Sequence, residues 1–254
     1  MIDAHIHLDQ YDQAGIKEMI NKWRENGIAG VVAVSTNLKS SYDILKLKQE
    51  YPNFIRAAIG HHPEEPPPNT RDLYELIDLV HQERKLLAGI GEIGLPTYKK
   101  EELYTKYSEE QFIDVLETFL RVAKKENLPV SLHAVHEEAK KALISLKKLK
   151  VELAHFHWLK ASSSTVNEIV SSGYFVSVTP EVCYRERDQL LVKQIPLEQL
   201  LIETDGPWQH GGPFSERQTT PLLLKEITTC LANILHIRYN ELIEIICHNT
   251  KQLW

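Results

Sequence analysis

The chain opens with Met1-Ile2-Asp3-Ala4-His5-Ile6-His7-Leu8, which sets two histidines two residues apart in a mostly apolar segment. Residues i and i+2 of a β-strand point to the same face. His5 and His7 are therefore expected to aim at one point, while the apolar residues pack on the opposite face. Two converging imidazoles make half of a transition-metal site. An isolated His-x-His pair is a weak signal, because each ring could instead bond a backbone group.

Short apolar runs alternate with amphipathic segments along the whole chain. We predict strands at Ile2–Leu8, Gly30–Ser35, Phe54–Ile59, Leu86–Ile90, Pro129–Leu132, Val151–Trp158, Tyr174–Val178 and Gln199–Glu203. Helical patterns separate them, and two closing helices follow the last strand. This alternation, without a linker, predicts a single (β/α)8 barrel domain over residues 1–254 with an extra C-terminal helix. The alternative is a doubly wound open sheet, which needs fewer strands and a Gly-rich fingerprint that this chain lacks.

Composition restricts the partners of the protein. The 254 residues are 43% hydrophobic and 25% charged, as in ordinary globular proteins. A net charge of −6 disfavours electrostatic binding of long nucleic acid, although a small phosphoester or a strand end is compatible with it. Three scattered cysteines without a C-x-x-C pair favour the cytoplasm. We expect neither a signal peptide nor a membrane span, and the sequence does not indicate an oligomeric state.

Ionisable side chains collect at the predicted strand ends, where barrel enzymes build their active sites. Seven of the twelve histidines fall there, together with three carboxylates. The residues are His5, His7, His61, His62, Glu92, His133, His155, His157, Glu203 and Asp205. Their convergence, more than any single motif, predicts a metal site.

Imidazoles and carboxylates without thiolates suit Zn, Mn, Co, Ni or Fe, and Mg is a less favoured candidate. The donors outnumber the needs of one ion, so we expect two divalent ions bridged by a carboxylate. Glu92 is the natural bridge, because its strand lies between the His5 side and the His133 side of the barrel. Such a pair of ions lowers the pKa of bound water and holds both the attacking and the leaving oxygen of the reaction.

Several motifs, in order along the chain, resemble those of the TatD-type metal-dependent hydrolases, which belong to the amidohydrolase-like superfamily. They are D-x-H-x-H-L at residues 3–8, G-x-H-P at 60–63, G-E-I-G-L at 91–95, the strand-end His133, E-T-D-x-P at 203–207 and the closing Asn249 to Trp254. The resemblance spans the whole chain and implies a (β/α)8 barrel.

The resemblance also implies roles for individual residues. One ion would take His5, His7, Glu92 and Asp205, and the other would take Glu92, His133 and His157. Asp205 would accept the proton of the nucleophilic water. The implied activity is phosphodiester hydrolysis by a metal-bound hydroxide, as in a deoxyribonuclease that acts on a strand end.

The chain departs from the family pattern at three places. Pro96 replaces the Asp of G-E-I-G-L-D, and 157–161 read His-Trp-Leu-Lys-Ala in place of H-C-F-S-G. The loop Trp208–Gly212 is also idiosyncratic. His155 and His157 lie on the same face of a strand, so His155 stays an alternative ligand.

Four residues are candidate substrate contacts. His62 could contact the substrate or its leaving group, or it could do no more than shape the turn before Pro63. Lys160 and Arg185 could bind a phosphate, or they could be solvated surface residues. Trp208 could stack on a base, or it could pack against the protein.

Two further residues lie beside these candidates. We expect His61 to face solvent. Glu203 could bond a ligating imidazole or serve its local loop.

Two rival functions remain on the same residues. The first is an amide, lactone or aminoacyl-ester hydrolase that uses the same metal centre. The second is a metal-binding protein without turnover. The sequence favours phosphodiester hydrolysis only through the family resemblance.

Overall fold

The computed structural model describes residues 1–254 and contains one sheet of eight parallel strands in chain order. The strands are β1 Ile2–Ile6, β2 Gly30–Val34, β3 Ile55–Ile59, β4 Leu87–Gly94, β5 Val130–His133, β6 Ala154–Phe156, β7 Phe175–Val178 and β8 Leu200–Ile202. Each strand pairs with its sequence neighbour. The predicted (β/α)8 barrel is confirmed.

Helices connect the strands and surround the sheet. They are α1 Ile16–Glu25, α2 Leu38–Glu50, α3 Thr70–Gln82, α4 Lys100–Leu103, α5 Glu109–Glu126, α6 Glu137–Leu149, α7 Ser163–Ser171, α8 Glu186–Val192, α9 Leu224–Leu235 and α10 Tyr239–Leu253. Ser108 and Gln111 form a capping box at the start of α5. No helix combines the length with the continuous apolar character that crossing a bilayer requires.

Hydrogen bonds between β1 and the residues just after β8 bring the two ends of the sheet together. The Asp3 carboxylate accepts the Thr204 N–H at 3.0 Å and the Thr204 hydroxyl at 2.5 Å. The peptide N–H of Asp205 then donates to the carbonyl of His5 at 3.1 Å. Closure thus brings the first and last strands together at the end where the candidate ligands lie.

A cluster of 59 buried apolar residues joins the strands to the surrounding helices. Burying each large apolar side chain contributes about 1.5–3 kcal/mol, so this layer supplies the main driving force for folding. Trp254 packs separately, against Val32, Val34 and Ala58 of β2 and β3. Its ring lies 6.1 Å from that of His155.

The sixth strand is shorter than predicted. It ends at Phe156, and Trp158 adopts a left-handed backbone conformation with φ of +39°. Few residues other than glycine adopt this conformation without constraint. The chain therefore turns directly after the strand and carries His157 beyond its end.

We expect Asp3→Ala to lower the free energy of unfolding by about 2–4 kcal/mol, because it leaves buried donors of Thr204 unpaired. Urea unfolding measures the loss. Asp114→Ala, at an exposed position on α5, is the matched control. Equal stability of the two variants would show that the Asp3 carboxylate does not hold the barrel closed.

Candidate metal centre

Four of the six expected ligands meet at the carboxyl ends of β1, β4 and β8. The Nε2 atoms of His5 and His7 lie 3.2 and 3.4 Å from Oε2 of Glu92. The same nitrogens lie 3.6 and 3.4 Å from Oδ1 of Asp205. The two imidazoles and the two carboxylates are therefore separated by four similar nitrogen–oxygen distances.

A second group forms around the other oxygen of Glu92. Oε1 lies 2.7 Å from Nε2 of His157 and 3.0 Å from Nδ1 of His133. Those two nitrogens are 3.3 Å apart. Nε2 of His62 lies 3.4 Å from the same Oε1. Each carboxylate oxygen of Glu92 thus faces its own set of imidazoles.

Glu92 stays ionised although its side chain is completely buried. Burial alone would raise the pKa of Glu92, but the imidazoles of His157, His62 and His5 outweigh burial and hold that pKa well below its usual value. In turn, Glu92 and Glu203 raise the pKa of His157 well above its usual value despite burial. A metal cation bound to these imidazole nitrogens and carboxylate oxygens would compete with protons for the same lone pairs.

The donor spacing fits a divalent cation. A tetrahedral shell with bonds near 2.1 Å separates neighbouring ligand atoms by about 3.4 Å. The gaps in the first group are 3.2–3.6 Å. Oδ1 of Asp205 is buried without a hydrogen-bond partner, so one acceptor is available to a cation. The residues present therefore fit a metal ion.

The outer nitrogens of the candidate ligands have partners of their own. Nδ1 of His5 lies 3.0 Å from the Ser131 hydroxyl. Nδ1 of His157 lies 3.2 Å from Glu203, as one interpretation of that carboxylate expected. Such partners fix the tautomer and ring orientation of a ligating histidine.

The structure separates the two strand-six histidines. His157 reaches Glu92, whereas Nε2 of His155 lies 2.7 Å from the Ser177 hydroxyl and 3.6 Å from Glu203. The turn after Phe156 places His157 beyond the strand, so the two rings no longer reach the same point. The geometry favours His157 over His155 as the ligand.

Sequence reasoning missed Glu64. Its carboxylate accepts the backbone N–H groups of residues 97–99 at 2.7–2.9 Å and lies 3.1 Å from Nε2 of His133. Burial opposes ionisation, but the bonds to His133 and this loop lower the pKa of Glu64 to about 2. The acidic residue directly after the G-x-H-P motif was the available signal. Its loop partners lie 33 or more positions away.

A cavity of about 860 Å³ opens onto five of the six expected ligands. Three predicted substrate contacts also line it: His62, Lys160 and Trp208. Arg185 does not line the cavity. Its side chain is 57% exposed, and its Nε lies 3.6 Å from Oε1 of Glu181.

The expectation that His61 faces solvent is wrong. The side chain is buried, because its Nε2 bonds the carbonyl of Pro66 at 2.9 Å. Its neighbour His62 accepts the Glu64 N–H at Nδ1 within the turn, and its Nε2 faces Glu92.

A protein-family model described as TatD related DNase matches residues 2–254. The chain belongs to the TatD family. The resemblance expected from the motifs is thereby confirmed.

Two relatives and one solved structure illustrate the similarity of this TatD-family protein. An uncharacterised metal-dependent hydrolase of Haemophilus influenzae is 35% identical, with 100% of this chain and 99% of the relative covered. The human protein named Deoxyribonuclease TATDN3 is 27% identical, with 100% and 94% covered. The crystal structure of the TatD homologue YJJV from Escherichia coli superposes with a TM-score of 0.87 at 22% identity, covering 100% and 97%. It shares the fold.

We expect Glu92→Gln to weaken binding of Zn or Mn by at least about 100-fold, because it neutralises the carboxylate that both donor groups face. Calorimetric titration of the chelator-treated protein measures this change. Glu126→Gln is the matched control, since Glu126 pairs with His81 at 2.8 Å outside the cavity. Unchanged affinity in Glu92→Gln would rule out a metal at this cluster.

We expect Glu64→Gln to weaken metal binding by about 10–100-fold, because the carboxylate no longer orients His133. The same titration applies. Glu65→Gln is the control, because that carboxylate bonds Asn37 at 3.1 Å rather than an imidazole. Equal affinities in these two variants would contradict the role of Glu64.

Proposed function

We propose that this TatD-family protein is a metal-dependent phosphodiesterase that acts on a nucleic-acid end or a small phosphoester. The arrangement of two donor groups that share the buried Glu92 carries the proposal. His5, His7, Glu92 and Asp205 would hold one divalent ion, and Glu92, His133 and His157 a second. The deoxyribonuclease name of the human relative supports the choice of substrate class.

Each residue contributes a specific part of the chemistry. Bound divalent ions supply Lewis acidity toward a phosphoryl oxygen and lower the pKa of water. Burial would raise the pKa of Asp205, but the nearby imidazoles of His7, His157 and His5 lower that pKa to about 2. Asp205 is therefore ionised at neutral pH, and its carboxylate can accept the proton of the attacking water.

The shape of the cavity favours a strand end over a duplex. Its volume of about 860 Å³ lies in the range of small-ligand sites. Trp208 and Tyr98 line it with side chains that are 60% and 59% exposed. Aromatic rings in this position provide stacking surfaces for unpaired bases. A single nucleotide end can occupy such a space, whereas long nucleic acid would meet a chain of net charge −6.

We expect Asp205→Asn to lower kcat by about 10²–10⁴-fold, because the amide cannot accept the proton of the attacking water. Single-stranded DNA and bis(p-nitrophenyl) phosphate are assayed in parallel with Mn, Mg, Zn or Co. Asp114→Asn, on the exposed face of α5, is the control.

Other outcomes would overturn parts of the proposal. A wild-type rate in Asp205→Asn would remove its role as proton acceptor. Faster turnover of an acyl ester than of either phosphodiester would favour the amide and lactone hydrolase alternative. Tight metal binding without turnover of any of these substrates would indicate a metal-binding protein.

A further inference from the structure

Lys160 is a buried cation without a carboxylate partner. Its side chain lines the cavity, and the residue is only 8% exposed. The single acceptor of its ammonium is the Tyr98 hydroxyl, at 2.7 Å. Nζ also lies 4.0 Å from the centre of the Trp158 ring. Buried charges in proteins are normally paired, so this ammonium has donors to offer a ligand.

A carboxylate of the same cavity, that of Glu181, already has a cationic partner. Its Oε2 accepts a hydrogen bond from Arg187 at 2.7 Å. No carboxylate oxygen lies within 4 Å of the Lys160 ammonium. Burial lowers the pKa of Lys160 from its usual value, and an anion beside it would favour the charged form.

Trp158 offers a second unused donor in the wall of this cavity. Its indole Nε1–H is buried without an acceptor. The residue is held at φ of +39°, and its backbone N–H donates to the Ser177 hydroxyl at 3.1 Å. A left-handed non-glycine residue costs about 1–3 kcal/mol, and such residues cluster at functional sites. The backbone conformation that places the indole here is therefore itself unfavourable.

These two donors adjoin the metal-ligand groups. Trp158 directly follows His157 in the chain. The Tyr98 ring, which bonds Lys160, lies 5.9 Å from the ring of His133. One aromatic side chain thus separates the Lys160 ammonium from the second donor group.

We propose that Lys160, Trp158 and Tyr98 form an anion subsite that binds a second phosphate of the substrate, next to the one that is cleaved. Carboxylates elsewhere in the cavity repel an anion, and Lys160 is the buried one of the two lysines that line the cavity. The proposal rests on the phosphodiesterase function above. It narrows the substrate to a strand or nucleotide with two adjacent phosphates.

The first test measures binding without turnover. Inorganic phosphate is titrated into chelator-treated protein, followed by calorimetry and tryptophan fluorescence. We expect Lys160→Met to weaken phosphate binding by about 10–100-fold, because a charge-assisted hydrogen bond is lost. Lys160→Arg should retain binding, and Trp158→Phe, which removes the indole N–H but keeps an aromatic ring, should weaken it less. Lys99→Met, at an exposed lysine of the same rim, is the matched control.

The second test compares substrates. Thymidylyl-thymidine, which has one phosphate, is compared with its forms that carry an extra phosphate at the 5′ or 3′ end. We expect the kcat/KM of the wild-type protein to be about ten-fold or more higher for one phosphorylated form than for thymidylyl-thymidine itself. Lys160→Met should reduce that ratio toward one, and Lys160→Arg should restore it.

The outcomes separate this proposal from the proposed function. Phosphate binding that depends on Lys160, without cleavage of any diester, would support the subsite and overturn the phosphodiesterase. A second outcome is that the protein cleaves a diester while neither phosphate binding nor substrate preference changes in Lys160→Met. That result would leave the proposed function standing and overturn the subsite. Equal phosphate affinity in wild type and Lys160→Met, with native near-ultraviolet circular dichroism in both, would also overturn it.

Discussion

The carboxylate of Glu92, which faces both groups of candidate ligands, constrains the carboxyl-terminal end of the barrel. An ionised carboxylate with no solvent exposure is stable only if cations or hydrogen bonds surround it. Its partners come from β1, from the loop after β3, from β5 and from the chain just after β6. The site exists only when these strands are in register, so the eight-stranded closure and the donor geometry depend on each other.

Most of this arrangement follows from the sequence, because strand ends of a barrel converge. The alternation of elements predicts the fold, and the polar residues at strand ends give ten candidates, among which the family resemblance implies the six expected ligands. What the sequence could not supply depends on local backbone paths. The turn at Trp158 separates His155 from His157, and the role of Glu64 arises from N–H groups 33 or more residues away. Periodicity carries no information about either.

Two kinds of residue therefore meet in one cavity. The donors around Glu92 match the family motifs, whereas Lys160 and Trp158 lie where the chain departs from them. A barrel allows this division, because each loop can change without moving the strands that hold the other loops. The candidate ligands can thus determine the type of reaction, while the residues of the cavity wall determine which substrate binds.

The bonds from Asp3 to Thr204 have a consequence for the order of events during synthesis. They join residues 201 positions apart, and a ribosome adding about 5–20 residues per second needs about 10–40 s to cover that distance. During this time the first imidazole pair exists without Asp205. The complete set of candidate donors becomes available only after translation has passed β8. The strands that carry the earlier donors are therefore synthesised before all the donors can meet one cation.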